Sequence, residues 1–515
     1  MNTSKRGGDN RMPQNDAVRQ SAASMSQTVL ALAPTVLGLM IARMGLIVSA
    51  YGSYSSTDQG IYTDGSSILA MLPLFIFMCV LGKTRIRLVK KHIFVLTSIA
   101  IAVQAASIIA LGVVLLTGNP PKTLSFGLSV IITLSSYLSI FYWLRRARGA
   151  SSSSAATIAF GSLLLSEPPI YLASLMPHGA ACLAVGLLTL AQFICQKYAR
   201  RRPLVENIHA ETTPLGYFGF AERMIDGVRL LAILALGMLL LSFAVGILRC
   251  FPDGSPIPFS PATRVAYMAL EMLLFAALIW RSFRGSRSVM TTSIWVILEA
   301  SGVIALICYA FFPNNLAIGA IFTTVFNAGM TGFMWYLVVA FSSFGNRDPY
   351  YYAIAGWMAF MVPRAIARIL MEIAPGSMGD TPLFAIVAAL IAANAQLVFV
   401  QIIWIERTVS NEKSSATAKS IRTLLGLDDA VKEDPASIRR ALMQDNTRQM
   451  QNQFLLSDRE TEVLTLYAMG LTQRKIAEEL CISPGTTHTH IKRIYTKTDL
   501  HSRQEILDYI ERYTG

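Results

Sequence analysis

The sequence predicts an all-α chain: a polytopic membrane helix bundle of about twelve spans in two groups of six, followed by a small soluble domain of four helices. Three observations carry this prediction. Hydrophobic residues make up 53% of the 515 positions and charged residues only 15%, with a mean hydropathy of +0.48. Runs of 18 or more mostly apolar residues recur through the first 405 positions and are absent from the last 110, and such runs are the mark of membrane helices. The final 60 or so residues instead carry helix start and stop signals at short intervals.

The chain divides into a polar tail (1–24), a membrane region (25–405), a linker (406–453) and the soluble domain (454–515). Spans are expected near 27–49, 63–82, 92–116, 123–144, 155–174, 179–197, 228–248, 262–280, 290–312, 315–342, 350–373 and 382–405. Each must be helical, because backbone groups in hydrocarbon have to be satisfied within their own segment. The polar residues before the first span are unlike a cleaved signal peptide, so that span is expected to stay as an anchor.

The net charge of +13 points to the membrane. Residues 406–515 carry 16 Lys/Arg and 16 Asp/Glu, whereas residues 1–405 carry 28 and 15. The basic residues fall on the N-terminal tail and the even connections: Lys83, Lys90 and Lys91 after span two, Arg145, Arg146 and Arg148 after span four, Lys197, Arg200 and Arg201 after span six. Odd connections hold almost none. This bias predicts a multi-pass protein of the bacterial cytoplasmic membrane with both termini in the cytoplasm.

The sixth connection, 198–227, is the longest and splits the spans six and six. That layout resembles the major facilitator transporters. The resemblance is one of layout: between spans two and three, "LGKTRIRLVKK" supplies Gly82 and basic residues but lacks the acid of that family's signature.

Seven ionisable residues fall well inside spans: Arg43, Glu167, Glu271, Glu299, Arg364, Arg368 and Glu372. Each costs about 2.5–3.5 kcal/mol near a helix centre and calls for a partner or a wet cavity. In the facilitator layout, spans one, five, eight and eleven line the central cavity, which implies a pocket bearing Arg43, Glu167, Glu271, Arg364 and Arg368. Such a pocket suits a small molecule with an acidic or hydroxylated group. The competing reading is structural: Arg368–Glu372 ion pairs, or Arg368 reaching to the headgroups. Six scattered cysteines form no ligand or disulfide spacing, so no cofactor and no metal are expected. Nor is there a P-loop, a nucleophile elbow or a metal motif, so no enzyme activity is expected.

The linker reads as a tether, with two short helices broken near Gly426 and Pro435. Beyond it, Ser457 with Glu460 forms a capping-box pattern and Gly470 a stop. Thr472 and Ser483 cap the next two helices, the latter with Pro484 at its first position. Ser502 with Glu505 opens a fourth. The middle two, joined by "CIS", read as a helix-turn-helix. A helical wheel puts Thr487, His490, Ile491, Ile494 and Thr498 on one side of the third helix. His488, Thr489, Lys492, Arg493 and Thr496 fall on the other, and 484–497 contain no acid.

"LLSDRETEVLTLYAMGLTQRKIAEELCISPGTTHTHIKRIYTKTDLHSRQEI" resembles the LuxR-type (GerE-like) DNA-binding domain across about 60 residues. The resemblance implies double-stranded DNA as partner, a third helix in the major groove and a homodimer on paired half-sites. It maps base reading to His488, Thr489 and Lys492, and phosphate contacts to some of Arg474, Lys475, Arg493 and Lys497. The dimer contact maps to the fourth-helix stripe Ile506, Tyr509, Ile510 and Tyr513. The chain departs from that pattern at Thr487-His488, usually Val-Lys, and at Thr498-Asp499, usually Leu-Gly. A membrane-embedded one-component transcription regulator responding to a small molecule or a membrane state is the expected function. A facilitator-type transporter with a DNA-binding regulatory tail is the alternative.

Overall fold

The computed structural model describes residues 14–51, 60–84, 88–118, 121–201, 380–424, 293–373 except 346, and most of 218–283 and 443–511. Its regular elements are helices, with no strand among the described residues. Twelve helices are long and apolar enough to cross a membrane, from Leu30–Ala50 through Asp380–Ile403. Their centres match the apolar runs of the sequence. The sixth span is built of two helices, His178–Thr189 and Ala191–Arg201.

The two groups of six are joined by crossed packing. Span two (Asp64–Thr84) lies on span eleven (Pro349–Ile373), and span five (Ser152–Ser174) lies on spans eight (Pro261–Phe283) and ten (Leu316–Phe344). Glycine sets one of these approaches: a Cβ at Gly332 would meet the Phe160 ring at 2.5 Å.

Polar ties close the end of the bundle formed by the even connections. Asp348, fully buried, accepts from Arg145 Nη1 at 2.5 Å, Leu88 N at 2.9 Å and Tyr350 N at 3.0 Å. Arg148 Nε donates to the Ser342 carbonyl at 2.6 Å, and Arg347 to that of Gly82. Asp348, between spans ten and eleven, thus ties together the connections after spans two and four.

Two expectations for span eleven are corrected. Arg368 pairs with Asp64 of span two at 3.0 Å, each side chain 1% exposed. It therefore neither pairs with Glu372 nor reaches toward headgroups. The reason is geometric: span two packs on span eleven and brings a carboxylate to a guanidinium already aimed inward.

The last span runs on without a break as helix Asp380–Leu424, so the first part of the expected tether is helical. Residues 425–442, including the expected breaks at Gly426 and Pro435, lie outside the described residues. The soluble domain has its four helices, Asp458–Ala468, Gln473–Glu479, Pro484–Thr498 and Arg503–Glu511. It also recruits helical turns from the linker. Met450 is fully buried in its core beside Leu456 and Ile506, and the Thr447 and Thr465 hydroxyls meet at 2.7 Å. The packed domain therefore begins near residue 443 rather than 454.

Candidate nucleic-acid interface and membrane pocket

Local chemistry sets the tail helices. Ser457 Oγ accepts from Glu460 N while Glu460 Oε2 accepts from Ser457 N at 2.7 Å, a complete capping box. Gly470, at φ 102°, ends that helix. Thr472 and Ser483 cap the second and third helices through Lys475 N and Thr486 N. The tight turn between them rests on Cys481 at φ 51° and the Ile482 N–H donating to Ala477 O at 2.9 Å. Nothing in a cysteine signals that conformation, so this turn residue was missed. In the fourth helix Glu505 reaches back to His501 N at 2.7 Å rather than to Ser502.

The third helix shows the two faces of the wheel. Thr487, Ile491, Ile494 and Thr498 are buried, and His490 is half-buried. The two threonines sit in the core without orphaned hydroxyls: Thr487 donates to Ser483 O and Thr498 to Ile494 O. His488, Thr489, Lys492, Arg493 and Thr496 are exposed along the opposite face. Arg474 and Lys475 are exposed at the start of the second helix. The Arg474–Glu478 pair at 3.3 Å is on the surface, with side chains 86% and 65% exposed, and such pairs are weak. The result is an acid-free, donor-rich ridge of the width that enters a major groove.

Residues 455–510 match the family described as bacterial regulatory proteins, luxR family. The tail is a LuxR-type helix-turn-helix domain. Its relatives include the Fimbriae Z protein of Escherichia coli K12, 39% identical over 59 residues, or 12% of this chain and 28% of that one. The oxygen regulatory protein NreC of Staphylococcus haemolyticus is 44% identical over 55 residues, 11% of this chain and 25% of its own. The chain thus spans about a quarter of the length of these curated relatives, all of it within the LuxR-type domain.

Two assignments within that domain are corrected. Lys497, mapped to phosphate, turns inward: its Nζ donates to Glu460 Oε2 at 2.5 Å and Leu455 O at 3.1 Å. Burial pushes the Glu460 carboxyl up, but the Lys497 and Ser457 hydrogen bonds outweigh it and hold the group below its usual range. Ile506, Tyr509 and Ile510, mapped to a dimer contact, are buried in the domain's own core. Phe454 packs edge-on against Tyr509, whose hydroxyl donates to Gln453 at 2.7 Å. The linker turns thus cover the stripe. Tyr513 lies outside the described residues. Arg459 and Arg503 have internal tasks, donating to the carbonyls of Leu480 and Tyr467.

Between the halves of the membrane bundle lies a cavity of about 120 Å³. Arg43, Glu167, Glu271 and Arg364 line it, while Arg368 and Glu299 do not. Arg43 Nη1 is 2.7 Å from Glu167 Oε1 and also donates to the Ser166 hydroxyl. Glu271, 1% exposed, lines the same cavity from span eight in the other half. Arg364 Nη1 donates to Asn327 Oδ1 at 2.8 Å, with its guanidinium 5.5 Å from the Phe360 ring centroid. Gly246 presses this point: a Cβ there would lie 2.5 Å from the Arg364 carbonyl oxygen. Trp335 and Trp357 complete the wall, their rings 6.4 Å apart and 23° from parallel. Hydropathy counts both simply as apolar, so their place at the cavity was not foreseen. Among the described residues no group of three His, Cys, Asp or Glu is placed to hold a metal ion.

Proposed function

We propose that this chain is a membrane-embedded, one-component transcription regulator. Its LuxR-type domain binds duplex DNA on the cytoplasmic side, and its twelve-span bundle senses a small molecule in the cavity between its halves. The observation that carries the reading is the acid-free ridge of His488, Thr489, Lys492, Arg493 and Thr496, joined in one chain to a bundle with a charged cavity. His488, Thr489 and Lys492 meet base edges, while Arg474, Lys475 and Arg493 meet phosphates. Lipid surrounds the spans, and the basic even connections hold both termini in the cytoplasm. Binding is as a homodimer on paired half-sites, through a surface other than the covered fourth-helix stripe.

A mobility-shift titration with residues 440–515 tests the DNA half of this reading, and transcript profiling of a deletion strain tests the regulatory half. Sequence-selective, salt-dependent retardation is expected; its absence overturns the reading. The rival, a transporter carrying a regulatory tail, has the crossed packing of the two halves in its favour. Uptake into vesicles of the full chain separates the two.

A further inference from the structure

The cavity is asymmetric in charge. At one side Arg43 is neutralised by Glu167, with Glu271 against Glu167. At the other side Arg364 is 5% exposed and, among the described residues, its hydrogen-bond partner is the neutral Asn327. Among the described residues no carboxylate pairs with it, and its Nε meets no acceptor. Two more buried donors have no acceptor among the described residues, the indole N–H groups of Trp335 and Trp357, at 1% and 4% exposure. All three residues line the cavity.

A buried cation without a counter-charge is costly, and so is a buried N–H without an acceptor. One ligand group satisfies the set: a carboxylate, whose two oxygens offer about four lone pairs and match the planar guanidinium. The geometry points to Arg364, Trp335 and Trp357 as the binding site for the carboxylate of a small organic monoacid with an apolar body. This rests on the sensing reading above and specifies its ligand. Trp335, Trp357 and Phe360 line the cavity with ring surface, which suits an apolar body. At one water per 10–15 Å³ of such space, roughly ten non-hydrogen atoms fit. A second carboxylate would approach Glu167 and Glu271, which favours monoacids over diacids.

The test is calorimetric titration of the full chain in lipid nanodiscs with benzoate and hexanoate, against the neutral isosteres benzamide and hexanamide and the diacid succinate. At least one monoacid binds, with its amide and succinate weaker by about tenfold or more, the worth of a charge-assisted hydrogen bond. Arg364→Gln lowers monoacid affinity by about tenfold or more. Trp357→Phe, which keeps the ring and removes only the N–H, lowers it by about threefold to tenfold and guards against a folding artefact in the arginine variant. The proposal is overturned if amides bind as well as acids, if Trp357→Phe leaves acid affinity unchanged, or if neither acid binds up to about 1 mM, the upper end of common metabolite affinities. The same samples are assayed for DNA binding. Monoacid binding that leaves DNA affinity unaltered supports this site and sinks the sensing reading. An amide that binds as well as its acid and alters DNA affinity does the reverse.

Discussion

Replacing Lys497 with alanine separates a structural lysine from a DNA-contacting one. Its ammonium sits 2.5 Å from Glu460 Oε2 and 3.1 Å from Leu455 O, with side-chain exposures of 35% for Lys497 and 4% for Glu460. Truncation leaves a buried carboxylate held by the Ser457 N–H at 2.7 Å. Hydrogen bonds to charged groups contribute about 1.5–3 kcal/mol. Partial solvation of the ammonium argues for the lower end, about 1.5 kcal/mol. For a domain of this size, that is a fall in Tm of about 6–12 °C. Circular dichroism melts of residues 440–515 read it directly. The control is Arg493→Ala on the exposed face, where stability stays within about 0.5 kcal/mol while the slope of log affinity against log salt falls by about 0.9. The reasoning is refuted if Lys497→Ala melts with the wild type and instead flattens the salt dependence.

Three further outcomes are expected. Arg368→Ala strands the buried Asp64 carboxylate and destabilises the bundle by about 3–5 kcal/mol; Asp64→Asn combined with Arg368→Gln recovers much of this, read by thermal stability in detergent. Asp499 ends the recognition helix at φ 61°, so Asp499→Gly stabilises the tail by about 0.5–1 kcal/mol, measured by urea titration. The Glu460 carboxyl is held below its ordinary 4.5. Its contribution is therefore complete above about pH 4.5 and fades as pH falls through the lower folded value. Acid melts of Glu460→Gln should lose that component of the acid sensitivity.

What the sequence disclosed follows from the range of each interaction. Ser457, Thr472 and Ser483 act within three residues, so their caps were legible from spacing alone. The two faces of the recognition helix were legible because a 3.6-residue period needs no partner to be read. Arg145 meets Asp348 across 203 residues, and Arg368 meets Asp64 across the two halves of the bundle. No local pattern encodes either pair, so the nearby Glu372 was the natural but wrong partner. The Ile506 stripe marks a buried face without naming its cover: a second copy and the linker's own Met450 satisfy the same pattern. Trp335 and Trp357 were counted as apolar, although their indole N–H groups are what makes the cavity chemically particular.

The two domains touch at a point with consequences for coupling. Lys90, on the connection after span two, donates from Nζ to the Thr496 carbonyl at 2.7 Å, at the C-terminal turn of the recognition helix, where a cation is favoured by the helix dipole. Two residues earlier the same connection is held by Asp348 through Leu88 N, and span two lies against span eleven, which carries Arg364. A shift of span eleven against span two therefore acts on the connection that meets the recognition helix. One hydrogen bond of this kind is worth about 0.5–1.5 kcal/mol, which biases the docked position by about twofold to tenfold. That size suits a switch a ligand has to reverse, because a larger bias would exceed what differential binding supplies. Lys90→Ala in the full chain should raise DNA affinity by about that factor, while the isolated tail, which lacks Lys90, fixes the undocked limit. Full-length wild type that binds DNA as tightly as the free tail would mean that docking withholds nothing, and the coupling would then have to run through the helix Asp380–Leu424.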